Sequence, residues 1–279
     1  MTLLSIFFGS LVGISLGLTG GGGAIFAVPM LVYGLRLPAR EAVVISLLSV
    51  GTTSAIGFVQ KWKRRDAELR TGLLFAAAGM IGAPIGTWGS RQVPDSILMM
   101  LFSGLMITIS VVMWRKGRRA EMPPVCLPEI PEQAESDHRD GPGCQRDVAG
   151  NLILTSRCAR LLLVAGVASG ALSGMFGVGG GFIIVPALVI FSSMSMSRAV
   201  GTSMLVISLV STSGIVSQLS LGQEINWRVT ALFAVGGIIG LLIGTSVSHR
   251  LSAAALQKTF SVAILVVAAF VLFKNFATG

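Results

Sequence analysis

The chain has 279 residues, 53% of them hydrophobic and 12% charged, with 35 glycines and a mean hydropathy of +0.82. Soluble domains carry about 25% charged residues, so this composition describes a polytopic membrane protein and leaves no room for a soluble catalytic domain. The formal net charge of +9 does not indicate nucleic acid, because the basic residues form short clusters at the ends of apolar runs, at 61–65 and 115–119, as cytoplasmic membrane flanks do.

An apolar segment near 3–18 comes first. It lacks a basic leader and a small-x-small cleavage site, and it reads as a membrane helix, not a signal peptide. It runs into Gly17-Leu-Thr-Gly-Gly-Gly-Gly23, and a short apolar segment, 24–35, continues through Val28-Pro29. Each glycine costs a helix about 1 kcal/mol relative to Ala, so a run of them inside an apolar stretch predicts a deliberate break in a membrane-embedded helix. The segments near 41–60, 71–90 and 95–114 are long enough to cross a hydrocarbon core of about 30 Å, whereas the twelve residues of 24–35 reach only about 18 Å and make a half-helix.

Residues 116–158 hold five prolines and most of the acidic residues, without a sustained apolar period. This composition predicts a disordered polar linker between a first half, 1–115, and a second, 159–279. His138 within it reads as a solvated side chain. Cys126, Cys144 and Cys158 match no metal or redox spacing and are expected to be unpaired cytoplasmic thiols. The sequence predicts no metal site and no cofactor.

The second half repeats the first. Apolar segments near 159–176, 182–192, 198–219, 229–248 and 252–273 follow the same plan, with Gly174-Met-Phe-Gly-Val-Gly-Gly-Gly181 and Val185-Pro186 at the break. At an offset of 157, Gly13, Gly17, Gly20, Gly22, Gly23, Ala42, Ser46 and Ser54 match Gly170, Gly174, Gly177, Gly179, Gly180, Ala199, Ser203 and Ser211. At 158, Phe75, Gly79, Gly82, Gly86 and Thr87 match Phe233, Gly237, Gly240, Gly244 and Thr245. The expected fold is therefore an all-α polytopic membrane protein of two homologous repeats, each with a glycine-broken helix pair and three transmembrane helices.

Trp62, Trp88, Trp114 and Trp227 fall at predicted helix ends, as interfacial anchors should. Lys61, Lys63, Arg64, Arg65 and Arg70 place one loop in the cytoplasm, and the basic cluster at 115–119 places the linker there too. In the second half the corresponding loop, 220–228, carries only Arg228 against Glu224, while His249, Arg250 and Lys258 lie in the following turn. That reversal favours inverted repeats over a parallel four-plus-four arrangement, with both termini outside, and it requires each glycine break to be a hairpin.

At such a break the first amides of the following half-helix have no partner, and the helix dipole places roughly +0.5 charge there. The candidate solute-binding residues are Thr19, Gly20, Gly21, Gly22 and Gly23 in one half and Gly177, Gly179, Gly180 and Gly181 in the other. Bare amides there can close on a compact oxyanion. Hydroxyls crowd the helix after each break, and Ser46, Thr202 and Ser203, with Gly201 beside them, are the ones expected to line a polar path. Arg36, Arg40, Arg91, Arg198 and Arg250 are expected to be boundary anchors. Gly79, Gly82 and Gly86, with Gly237, Gly240 and Gly244, are spaced for close helix packing.

The spans lack His-Glu-x-x-His, paired carboxylates and a Ser/His pairing, which argues against an enzyme and leaves no catalytic residue to name. The missing intramembrane carboxylate also removes the usual proton relay. The duplicated Gly-x-x-x-Gly-x-x-Gly-x-Gly-Gly followed by Val-Pro, Ala-Val-Gly-Thr-Ser at 199–203, and Gly-x-x-Gly-x-x-x-Gly-Thr at 79–87 and 237–245 together resemble the sulfite exporter TauE/SafE family. The resemblance covers nearly the whole chain except 116–158. It implies a bacterial inner-membrane transporter of sulfite, sulfonates such as 4-toluene sulfonate, or related organic oxyanions. The first half departs from the pattern, with Val44-Ile45-Ser46 where the second has Gly201-Thr202-Ser203. The leading expectation is a secondary transporter whose partners are a small anionic solute and the lipid bilayer, with no nucleic acid; a homodimer stays open as its assembly, and an anion or small-solute channel is the alternative.

Overall fold

The computed structural model describes residues 2–64, 66–120, 156–191, 194, 196–223 and 225–248. The described elements are helical: α1 (Thr2–Thr19), α2 (Gly22–Gly34), α3 (Ala39–Lys63), α4 (Leu69–Arg91), α5 (Asp95–Ala120), α6 (Ser156–Phe176), α7 (Gly181–Phe191), α8 (Met196–Ser220) and α9 (Trp227–Ser248). Six of them, α1, α3, α4, α6, α8 and α9, carry apolar stretches long enough to span a bilayer. The chain is a multi-pass membrane protein.

Its outer faces are apolar: Phe7 and Leu11 on α1, Ile81 and Ile85 on α4, Val164 on α6, and Leu242 and Ile243 on α9 are exposed. The interior holds hydroxyls and glycines among the aliphatic side chains, because lipid already solvates large apolar groups and leaves small residues and backbone contacts to hold the helices together. Trp62, Trp88 and Trp227 stand exposed near helix ends, as anchors at the water boundary do.

Two helix pairs are closed by glycine. A Cβ added to Gly13 of α1 would stand 2.0 Å from the Gly237 carbonyl oxygen of α9, and one added to Gly170 of α6 would stand 2.1 Å from that of Gly79 in α4. Gly9, Gly13 and Gly17 meet Phe233, Gly237 and Leu241 in ascending order, so α1 and α9 run parallel; Gly166, Gly170 and Gly174 meet Phe75, Gly79 and Ala83, so α6 and α4 do as well. Gly82 and Gly86 approach the carbonyls of Val167 and Ala171, which bears out the packing role expected of that spacing.

Between the pairs, α3 and α8 cross antiparallel, with Gly57 on Met204, Gly51 on Ser211 and Gly214 on Leu47. Helices α1, α3 and α9 therefore point one way and α4, α6 and α8 the other. For α1 and α3 to point the same way, the chain must return between them, and α2 makes that return. A Cβ at Gly23 would crowd the amide of Leu16, and one at Gly34 the ring of Phe8. Within α2 the turns pass from 3-10 over Gly22–Phe26 to α over Ala27–Pro29 and π over Met30–Gly34. Regularity fails at Pro29, which lacks an amide to bond to Ile25 and crowds that carbonyl with its ring.

Two expectations change. Helix α5 continues to Ala120 and α6 begins at Ser156, so helix intrudes on both ends of the segment read as linker; the basic residues 115–119 sit at a helix C-terminus, where the dipole favours them. Residues 121–155, with His138, and the segment 252–273 lie outside the described residues. Cys158, expected as a free thiol, is disulfide-bonded. Spacing along the chain could not reveal this, since a disulfide needs only two Cα atoms within about 7 Å in space.

Candidate functional site

Both helices preceding the glycine runs stop in the same way. The Gly20 amide still bonds to the Leu16 carbonyl at 2.7 Å, and the Gly177 amide to that of Ser173 at 2.8 Å. Each of these glycines then turns left-handed, with φ of 75° at Gly20 and 70° at Gly177. An L-side chain there would cost roughly 1–2 kcal/mol, so glycine is what lets the chain leave the helix at these points.

Beyond the turns the amides run out of partners. Among the described residues, the N–H groups of Gly21, Gly22 and Gly23 in the first run, and of Val178, Gly179, Gly180 and Gly181 in the second, donate to nothing. All seven residues are buried. Bonding resumes at Ala24, which reaches Gly21 at 3.4 Å, and at Ile183 and Ile184, which share the Gly180 carbonyl at 3.0 and 3.1 Å. Both broken segments therefore leave buried donors unsatisfied, as a helix N-terminus does, and such donors can receive an anion.

Each break is braced by the central helix of the other half. Ser203 on α8 donates its hydroxyl to the Gly20 carbonyl at 2.5 Å, and Val200 one turn earlier packs on Gly20. Ser46 on α3 donates to the Gly177 carbonyl at 2.6 Å, and Val43 packs on Gly177. The two runs also touch, because a Cβ on Gly21 would come within 2.8 Å of the Gly181 Cα.

Of the residues named from sequence, the glycines of both runs come together with Ser46 and Ser203. Thr19 bonds back to its own helix at the Ser15 carbonyl. Gly201 lies against the Asp66 carbonyl, and the Thr202 hydroxyl accepts the Glu68 amide at 2.9 Å, beside an ion pair of Arg198 with Glu68 at 3.8 Å. These two face the turn between α3 and α4 instead of the breaks.

The structure adds residues that sequence reasoning passed over. The hydroxyls of Ser173 and Ser211 are fully buried beside the second run with no hydrogen-bond partner; that of Ser54, on α3, is buried and unpartnered too. Ser173 had one sequence signal, its place four residues before Gly177, where its carbonyl closes the last turn.

Charge stays at the periphery. Arg40 pairs with Asp95 at 3.1 Å, both half-exposed, and Arg91 donates to the Leu221 carbonyl. Arg40 and Asp95 border an open cavity of about 650 Å³, lined also by Glu41, Gln223 and Asn226. A separate cavity of about 10 Å³, room for a single water, is lined by Arg40, Arg91, Gln223 and Val43, the side chain that packs on Gly177. Charge thus gathers at the mouth of the open cavity, and none of the residues of the two glycine runs carries any.

Comparison with known proteins agrees with this architecture. The model of the family described as "Sulfite exporter TauE/SafE" matches residues 5–271. Among curated relatives, a "Probable membrane transporter protein" of Xylella fastidiosa strain Temecula1 is 30% identical over 99% of this chain and 97% of its own length. Its counterpart from strain 9a5c is 31% identical with the same coverage. The "Probable membrane transporter protein YdhB" of Bacillus subtilis is 24% identical over 92% of this chain and 94% of its own. No solved structure matches the chain. The family match along nearly the whole chain, the membrane-spanning helices and the relatives named as transporters lead to one conclusion: the chain is a membrane transporter of the sulfite exporter TauE/SafE family.

Proposed function

We propose that the protein is a secondary transporter of small sulfur-containing or organic oxyanions, such as sulfite and sulfonates, working by alternating access around its two glycine breaks. The observation that carries this reading is the set of seven unpaired, buried amides in two runs that touch where Gly21 meets Gly181. Neutral donors bind an anion without trapping it, which suits a solute that must also leave.

The halves are read as inverted repeats. Supporting this, the equivalent helices α3 and α8 run antiparallel, and contacts recur with the halves exchanged: Ser46 to Gly177 and Ser203 to Gly20, Val43 on Gly177 and Val200 on Gly20. The α1–α9 and α4–α6 pairs, each closed by glycine, are the bodies that rock about the α3–α8 crossing. The basic clusters at 61–65 and 115–119 support a cytoplasmic location for the α3–α4 turn and the linker, in a bacterial inner membrane.

Flux into proteoliposomes tests the reading. Labelled sulfite and 4-toluene sulfonate should enter with saturable kinetics and counterflow. Absence of flux for a panel of such anions would overturn it, and unsaturable flux would mean a channel.

A further inference from the structure

We infer that the anionic group of the solute is seated at the second break alone, by the amides of Gly179, Gly180 and Gly181 together with the hydroxyls of Ser173 and Ser211, with the first break as its cover. This rests on the anion-transport reading and says where in the molecule the charge is held.

Two hydroxyls stand at that break, and one of them, Ser173, has no polar counterpart in the first half, whereas Ser211 is matched by the equally buried Ser54. Ser173 and Ser211 are both 0% exposed, and neither oxygen has a hydrogen-bond partner. Buried polar groups are almost always satisfied, so a pair of unsatisfied hydroxyls beside a row of unsatisfied amides calls for an acceptor from outside the chain. Ser211 packs between two glycines: its Oγ is 3.7 Å from where a Cβ of Gly179 would stand, beside Ile207 and Val50, and 3.6 Å from that of Gly51. Ser173 Cβ lies 3.5 Å from the corresponding position at Gly180, on the other side of the run. The hydroxyls thus flank the amides, and α7 follows with its positive dipole end at Gly181.

The first break is poorer in donors. Leu16 occupies the position equivalent to Ser173 and is fully buried, an apolar wall where the second half has a hydroxyl. Ser208 occupies the position equivalent to Gly51, so the glycine that receives Ser211 has no counterpart in the other half. What the first run contributes is contact, with Gly21 laid on Gly181. A compact oxyanion that accepts several hydrogen bonds in a shell of neutral donors, as sulfite or a sulfonate head group does, fits this seat.

The test uses the full chain, purified and reconstituted, with sulfite and methanesulfonate as probes. Ser173→Ala and Ser211→Ala should each weaken anion binding about tenfold or more, from loss of a hydrogen bond to a charged acceptor. The anion-free melting temperature should hold or rise, because the deleted hydroxyls bond to nothing in the protein. A structural serine would behave in the opposite way. Ser54→Ala, which removes the equally buried and unpartnered hydroxyl at the position matching Ser211, should leave binding within about twofold of wild type. Binding by S173A and S211A within twofold of wild type, or a loss in S54A as large as in S211A, overturns the seat while wild-type transport leaves the transport reading standing. A wild-type protein that neither binds nor moves either anion overturns both.

Discussion

Ser46 of α3 and Gly177, at the end of α6, are joined by a hydroxyl-to-carbonyl hydrogen bond of 2.6 Å, and that bond ties the second glycine break to the central helix of the other half. Ser203 does the same for Gly20. Both carbonyls are buried, so neither can turn to water when its donor is removed.

Ser46→Ala and Ser203→Ala should therefore each destabilise the protein by about 1–3 kcal/mol, the cost of leaving a buried carbonyl without its donor. Melting in detergent measures this. Anion flux should fall in both variants, since the turn that aims the amides loses its brace.

Glycines on the helix faces divide sharply by what lies opposite. A Cβ at Gly86 would stand 1.8 Å from the Ala171 carbonyl oxygen, an overlap with backbone that only separation of α4 from α6 relieves, whereas Gly89 and Gly104 have open space. Gly86→Val should abolish folded, monodisperse protein in size-exclusion chromatography. Gly104→Ala should raise stability by up to about 1 kcal/mol through helix propensity alone.

The antiparallel crossing of α3 and α8 places the turn at 221–223 on the side opposite the turn at 66–68. In a chain cleared of its native cysteines, Gly222→Cys should react with a membrane-impermeant maleimide added to intact cells, and Ala67→Cys only after lysis. Labelling of both from one side would remove the inverted arrangement.

The Arg40–Asp95 pair lies at the mouth with both side chains more than two-fifths exposed. Asp95→Asn should change the melting free energy by no more than about 1 kcal/mol, as exposed pairs do. Removing that carboxylate from an anion's approach should raise the rate of uptake at low ionic strength and leave it unchanged at high salt.

Much of this was legible in the sequence, and what was not has a physical reason. Glycine runs could be read as breaks because no other residue turns left-handed so cheaply, and the helices ended within a few residues of the predicted segments. Spacing of three and four assigned Gly82 and Gly86 to packing faces. Partners across the structure were another matter. Thr202 and Ser203 are neighbours in sequence and look equivalent, but successive residues on a helix point about 100° apart, so Ser203 meets the Gly20 carbonyl while Thr202 meets the Glu68 amide. Ser173 and Ser211 resembled any other membrane serine, most of which bond to their own helix as Thr52 and Thr212 do. Only coordinates separate a hydroxyl with a carbonyl above it from one with none.

The pairing of α1 with α9 bears on how the molecule is made. Helix α1 carries a glycine-bearing face matched to α9, which is synthesised after every other described helix. Until then the Gly9, Gly13 and Gly17 face stays against lipid, where its shallow surface makes few contacts. Closure of the α1–α9 pair is therefore a late event in biosynthesis, and a ribosome that stalls before α9 leaves a chain whose α1 is still unclasped.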